Sequence, residues 1–370
     1  MERRLRRMLS PRPETSESRR LHVWYAILPR MDARHKCTLQ IFRGVDHTQQ
    51  ILTGYLLLHR AGQLDLRVET LPVRPESWSF IINVEIAGRR IAYDLQDDPF
   101  SVLERACAEY LDGLDSFFVR SHLPGTYGVW EERVHPLGLN YPVSALHPTA
   151  LWCSFRALRD LPRKFASANG RPRTMGFYEQ APHPARTRNV LFFTRVWDPQ
   201  GGFLEREHPP GEVHTINERR VECIRALRSA FKDNFIGGIA ATPYAVKHYS
   251  AYIAPRRLTN KSSYFRSLRS AAVCVTTEGL GHSNGWKLTE YVAASKAIVT
   301  EPLRYNVPGD FADGVNYYSF SDAEQCVAAV QKYLDNPDRV TESSRANWKY
   351  YNGWVRPDAM VRHTINTALS

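Results

Sequence analysis

Apolar and polar positions change period several times along the chain, and each change marks an element. Leu21 to Leu28 is a nearly unbroken apolar run, the pattern of a strand buried on both faces. Thr38 to Phe42 reads as a further strand. Between His47 and Ala61 the positions Ile51, Leu52, Tyr55 and Leu58 recur at helical spacing on one face, and Gly62 ends the helix. Short β-rich segments follow at Leu64 to Val68, Phe80 to Ile86 and Arg90 to Tyr93. A helical pattern covers Ser101 to Leu111, and strands are expected at Ser116 to Arg120 and Val134 to Leu139. Strands alternating with helices predict an α/β domain with a mainly parallel sheet.

From Asn140 to Arg188 the pattern loosens. Pro142, Pro148, Pro162, Pro172, Pro182 and Pro184 interrupt it, and a domain boundary is expected here. A second α/β series then begins with a strand at Asn189 to Thr194. A loop runs through Pro209, Pro210 and Gly211, followed by a helix at Ile216 to Phe231 and a strand at Phe235 to Ala240. Helices are predicted at Asn260 to Ser270, Leu288 to Ser295, Ala323 to Leu334, Ser343 to Tyr351 and Pro357 to Ala368. Strands are predicted at Ala272 to Thr276 and Ala297 to Thr300. Two similar α/β halves leave a cleft between them, the usual place for a ligand.

Composition changes this picture little. The chain has 370 residues, 43% hydrophobic and 24% charged, which suits two soluble domains. No run approaches the length needed to span a bilayer, and the basic N-terminus lacks the apolar core of a secretory signal. A cytoplasmic location is expected. Six scattered cysteines, with no Cys-x-x-Cys pair, read as free thiols and not as a zinc site or a disulfide framework. The net charge of +11 fits a nucleic-acid binder, an enzyme for phosphorylated donors near anionic lipid, or a merely solvated basic surface. Much of the excess lies in arginines of residues 1–20, read as a disordered tail.

The chemistry concentrates in Val273 to Val299, which reads as strand, glycine-bearing loop, helix and strand. Gly279, Gly281 and Gly285 let the backbone approach a ligand, and Ser283 and Asn284 are expected to cap the following helix. Free N–H groups at a helix start form a seat for a diphosphate, to which Lys287 adds charge. Glu290, one turn on, could accept two ribose hydroxyls. The competing reading is an ordinary βαβ turn whose glycines serve only the backbone.

These residues resemble the donor-binding segment of GT-B glycosyltransferases, in which an E-G-[FL]-G loop precedes a helix with a second glutamate. The run Gly285-Trp-Lys-Leu-Thr-Glu-Tyr-Val-Ala-Ala-Ser-Lys-Ala-Ile-Val299 is similar to a bacterial group of them. Glu278 and Glu290 lie twelve positions apart, four more than in the family, with His282 to Gly285 as the insertion. Val190 to Arg195 resembles the strand that ends in the family's phosphate-binding arginine. The lysine that usually follows is missing, and Lys261 is a candidate replacement. Val134 to Asn140 resembles the strand and turn closing the N-terminal domain.

The resemblance implies a GT-B fold, two Rossmann-like domains with a cleft between them. Residues 21–145 would form the acceptor domain, 146–188 a linker, 189–352 the nucleotide-sugar-binding domain, and 353–370 a helix returning to the first domain. It implies transfer of a sugar from a nucleotide-diphosphate donor to a hydroxyl on a glycan, lipid-linked or other acceptor, in cell-surface polysaccharide or glycan synthesis. Arg195, Lys261, Ser283, Asn284, Gly285, Lys287 and Glu290 would bind the donor, and Glu278 and His282 would face the sugar or the β-phosphate. Asp46 and His47, at a helix start, and Asp94, Asp97 and Asp98, after a strand, are candidates for a general base. Asp46 also reads as a helix cap, and the three aspartates as a strand-to-helix cap.

No Asp-x-Asp occurs in the chain, so no metal and no cofactor beyond the donor are expected. The paired glutamates lean towards a retaining outcome. An aromatic cluster at Trp348, Tyr350, Tyr351 and Trp354 reads as packing, with an acceptor platform as the alternative. Two other functions stay open: a nucleotide-sugar epimerase on the same fold, and a basic protein whose domains bind nucleic acid or anionic membrane. For the transferase, peripheral contact with anionic membrane through the basic tail is a further expectation. No known nucleic-acid module is found, so no nucleic-acid partner is expected.

Overall fold

Each half of the chain is built on its own sheet. The computed structural model describes residues 35–41, 46–71, 80–97, 108–144, 173–201, 208 and 210–370. The tail at 1–20, the expected strand at Leu21 to Leu28, Asp98, Cys107, Cys153 and most of the 146–188 segment lie outside the described residues, as does the side chain of Asp46.

The first half runs β1 (His35–Ile41), α1 (Gln49–Arg60), β2 (Leu64–Thr70), β3 (Ile81–Ile86), β4 (Arg89–Asp94), α2 (Ala108–Asp112), β5 (Ser116–Val119) and β6 (Val134–Pro136). The strands form one sheet in the order β2-β1-β3-β4-β5-β6. It is mixed, not mainly parallel as expected: β3 runs antiparallel to both β1 and β4. The cause is local. Ala87 and Gly88 join β3 to β4 with φ of 50° and 77°, and two left-handed residues make a tight hairpin that can return the chain only antiparallel.

Two short strands, β7 (Val143–Ser144) and β8 (Arg173–Thr174), pair beside the first sheet, and α3 (Met175–Tyr178) leads into the second half. There the order is β9 (Val190–Thr194), α4 (Pro210–Phe231), β10 (Phe235–Ile239), α5 (Pro243–Tyr249), α6 (Arg256–Thr259), α7 (Lys261–Ser270) and β11 (Val273–Val275). Then follow α8 (Trp286–Ala293), β12 (Ala297–Thr300), β13 (Tyr317–Ser319), α9 (Ala323–Leu334), α10 (Pro337–Tyr350) and α11 (Pro357–Leu369). This sheet, β10-β9-β11-β12-β13, is parallel throughout and its core positions are buried on both faces. The α/β architecture is therefore two Rossmann-like units with a cleft between them.

Some boundaries differ from the sequence reading for identifiable reasons. Pro210 and Gly211, expected in a loop, open α4, because proline is well suited to a first helical turn where its missing N–H costs nothing. Likewise α10 starts at Pro337 behind Asn336, whose side chain accepts a bond from Arg339 N. The pattern gave no sign of β13, which at three residues is too short to show a period.

The last helix packs against the first sheet's layer. Gly54, in the middle of α1, lies where α11 crosses. A Cβ there would fall 2.2 Å from the Pro357 carbonyl oxygen and 2.4 Å from Val361 Cγ2, so only glycine allows the approach. Met360, Val361 and Ile365 join the core of the first sheet. Beside this crossing Gln50 donates to Val355 O at 2.7 Å and accepts from Asn140 Nδ2 and Tyr141 N, tying α1 to both connections between the halves. The aromatic cluster serves packing. Tyr350 and Tyr351 are buried, Trp348 stacks on Tyr351, and Trp354 covers Gly309. Cys37, Cys223, Cys274 and Cys326 are buried free thiols. No helix among the described residues is long and apolar enough to cross a membrane.

Candidate active site

In the second sheet β9 has β10 on one side and β11 on the other, so the chain changes direction across the sheet at β9. The carboxyl ends of strands at such a switch point leave a crevice in an open α/β sheet. A cavity of about 670 Å³ opens there, lined by Thr194 and Arg195 after β9, Ala240 after β10, and Thr276 and Thr277 after β11. The first half closes it with His47 and Gln49 from the start of α1, Asp97 after β4 and Arg120 after β5. Its lining holds six basic side chains, Arg120, Arg173, Arg195, Arg220, Lys261 and Lys287, against two carboxylates, Asp97 and Glu290. Both carboxylates are already ion-paired within the wall. The lining is therefore net positive.

The loop after β11 turns back on itself. Gly279 N donates to Ser283 O at 2.8 Å, and Gly281 and His282 adopt φ of 63° and 57° to make the bend. A Cβ on Gly279 would lie 2.6 Å from Ser283 Oγ, so a side chain there would have to displace that hydroxyl. Ser283 and Asn284 do not cap α8 as expected. The bend ends in extended backbone through Gly285, which is the N-cap and carries no side-chain cap bond. The amides opening α8 thus lack a side-chain partner from the cap, and Ser283 and Gly285 border the cavity.

Glu290 is buried on the next turn of α8, and both of its oxygens are engaged. Oε1 accepts from Lys261 Nζ at 2.6 Å and Oε2 from the Tyr264 hydroxyl at 2.8 Å. Burial pushes this carboxyl up, but Lys261 and Lys287 outweigh it and hold it below its ordinary range. Lys287 Nζ stands 4.2 Å from the centre of the Tyr264 ring, and burial pushes its ammonium down to about 8. Lys261, a candidate from the sequence, thus lies in the cavity wall, with Asn260 capping its helix through Ser263 N.

Arg195 is exposed at the cavity edge, and behind it stands a residue missed from the sequence. Arg220 of α4 is buried, donating to Thr277 Oγ1 at 2.9 Å, Arg195 O at 2.7 Å and Glu278 O at 2.6 Å. Its guanidinium lies over the Trp197 ring at 4.3 Å, and burial pushes its pKa down to about 10. The pair Arg219-Arg220 looks like solvated surface. Yet Val213, Ile216, Asn217, Arg220, Cys223 and Ile224 are all buried at helical spacing, so Arg220 falls on the inner face of α4. That spacing was the available signal.

The opposite wall centres on Arg120, which bonds Asp97 Oδ1 and donates to Asn284 O at 2.8 Å, so one guanidinium joins the first half to the inserted loop of the second. His47 packs between Phe80 and Trp286 at 5.1 and 4.9 Å, its Nε2 4.0 Å from Asp97. Burial, with help from Arg120, pushes this imidazole down to about 4, against the opposing pull of Asp97. It is neutral at pH 7. Asp94 caps its own turn by accepting from Gln96 N at 3.1 Å.

Glu278 and His282, expected to face the donor, pair with each other at 2.8 Å and are not among the residues lining the cavity. Glu278 N donates to the buried Glu301 carboxylate at 2.9 Å, Gly281 N to Glu212 at 2.6 Å, and the Tyr305 hydroxyl to Gly281 O. The dyad stabilises the bend. Among the described residues no group of three or more His, Cys, Asp or Glu side chains could hold a metal ion.

Compared with known proteins, the chain matches no family model and no curated protein. Solved structures similar to it include a glycosyltransferase from Rickettsia africae, at 15% identity over 86% of this chain and 80% of that one, with a TM-score of 0.42. HepE from Anabaena, in complex with UDP and glucose, is 10% identical over 90% and 99% of the two chains, with a TM-score of 0.41. The C-terminal domain of LpcC, a glycosyl transferase group 1 family protein from Francisella tularensis, is 12% identical over 49% of this chain and 97% of its own, with a TM-score of 0.35.

Proposed function

We propose that this chain is a GT-B glycosyltransferase that moves a sugar from a nucleotide-diphosphate donor to an acceptor hydroxyl. The observation that carries the reading is the cavity at the switch point, whose cations outnumber its carboxylates six to two. In such a transfer the bond between the anomeric carbon and the phosphate oxygen breaks, and the diphosphate departs with the bonding electrons. Fixed cations and helix amides stabilise the charge that develops on it. Arg195, Arg220, Lys287 and the backbone of Asn284 and Gly285 supply that here, without a metal; the Ser283 amide is already bonded to Leu280 O.

The acceptor would enter against His47 and Asp97 of the first half. His47 is neutral and can accept a hydrogen bond, while Asp97 stands beside it, paired with Arg120. Glu278 and His282 then act through the loop and do not touch the sugar. Assembly of a glycan or cell-surface polysaccharide in the cytoplasm, with the basic tail towards anionic lipid, is the setting that fits such a donor and charge.

Calorimetric titration with UDP, GDP and ADP tests the proposal. At least one should bind in the micromolar range, and Arg195→Ala should weaken it about tenfold, as expected for one charge-assisted contact. Binding no tighter than millimolar for all three would sink it. Turnover of a donor sugar with no acceptor present would favour an epimerase instead.

A further inference from the structure

The family position of Glu290 implies a ligand for two ribose hydroxyls, which requires both carboxylate oxygens to be presented to the cavity. In this chain the carboxylate is committed elsewhere. Its side chain is 4% exposed, with Lys261 Nζ on one oxygen and the Tyr264 hydroxyl on the other. Tyr264 is buried too, and its ring carries Lys287. Lys261 is bracketed by the rings of Tyr178, Tyr264 and Phe265 at 5.5, 5.8 and 5.1 Å.

Two ammoniums are therefore held by one carboxylate and a set of aromatic faces, leaving a net positive charge on the cavity wall. A ribose that took Glu290 would have to displace an ammonium from a buried carboxylate. That exchanges a charge-assisted bond for neutral ones and leaves a cation short of its partner. A phosphate meets no such cost. Each ammonium has three N–H donors, so Lys261 keeps two for a ligand while bonded to Glu290.

We propose that Glu290 is a positioning residue, holding Lys261 directly and Lys287 through the Tyr264 ring as a two-lysine phosphate site, and that it is not the ribose ligand. This rests on reading the cavity as a nucleotide-diphosphate-sugar site, but it assigns the carboxylate a different role. Glu290 also favours the charged form of Lys287, opposing the downward push that burial exerts on it. The phosphate charge that the absent family lysine would neutralise is met from α7 and α8 instead.

The test is calorimetry on the full chain with inorganic pyrophosphate and with UDP, GDP and ADP. Glu290→Gln and Lys261→Met should each weaken pyrophosphate about tenfold, as for one charge-assisted bond. The double variant should lose little more than either single one, because Glu290 acts through Lys261. General damage to the fold would not produce that non-additivity. If Glu290→Gln weakens a nucleoside diphosphate and leaves pyrophosphate unchanged, Glu290 is the ribose ligand and the proposal falls. If Glu290→Gln fails to fold, unchanged pyrophosphate affinity in Lys261→Met overturns it equally. Wild-type protein that binds a nucleoside diphosphate but not pyrophosphate overturns the two-lysine site alone. Binding of pyrophosphate without any nucleoside diphosphate overturns the donor reading and leaves the site standing.

Discussion

The wall supplied by the second half and the wall supplied by the first meet the same cavity with different means. On the second wall, cations are fixed from below: Arg220 by three bonds, Lys261 by Glu290, and Lys287 by an aromatic face. Every strand there is parallel, so all their carboxyl ends deliver residues to one edge. On the first wall one imidazole is kept neutral and one arginine bonds Asp97 and the neighbouring half. Its sheet is mixed, because the β3–β4 hairpin reverses one strand. On the proposed function, the contrast teaches that charge for a leaving group would be built into one half, while the groups that would meet an acceptor sit at the seam between two.

Arg220→Met should break this contrast most strongly. It removes a buried cation that holds two loop carbonyls, leaving them unpaired, and should lower the unfolding free energy by about 3 kcal/mol. A denaturant midpoint measures this. Unchanged stability together with unchanged nucleotide affinity would mean that Arg220 does not organise the second wall. Arg120→Met touches the seam instead. It should lower kcat/KM about tenfold, near 1.4 kcal/mol, while nucleoside diphosphate affinity changes less than twofold. An equal loss in both would show that the two walls do not divide the work as described.

How far these walls were legible in the sequence differs in the same way. The second half shows most of its strands as clear apolar runs, because a parallel sheet is buried on both faces, though the three-residue β13 escapes. The first half conceals its reversed strand, since a two-residue turn at Ala87 and Gly88 is a small signal inside a β-rich stretch. Among site residues, Lys287 and Glu290 could be proposed because spacing places them near one helix start, Arg195 because its strand resembles a family segment, and Lys261 as a replacement for the missing lysine. Arg120, Arg220, Tyr264 and Trp286 could not, since their roles depend on contacts across long separations in the chain, such as Arg120 with Asn284. The caps expected at Ser283 and Asn284 failed for a local reason: the inserted bend spends those residues on closing itself.

A smaller effect sharpens the second wall by pH. Lys287 has its folded-state value lowered to about 8. Above that pH it loses a proton that the unfolded chain still holds, so stability rises with pH while affinity for an anion falls. Pyrophosphate or nucleoside diphosphate affinity should therefore decline between pH 7 and 9, and Lys287→Met should flatten the decline. A wild-type profile that is already flat would show that Lys287 keeps its proton through that range or stands away from the phosphates.

The crossing of α11 over Gly54 has a consequence in time. The core of the first sheet includes Met360, Val361 and Ile365, so the half that leaves the ribosome first cannot complete its interior until residues 357–369 have been made. The core of the second half also draws on late residues, Tyr350, Tyr351 and Val355, but its strands are made much later. The early segment therefore waits longest, and must pass that interval with part of its apolar surface uncovered.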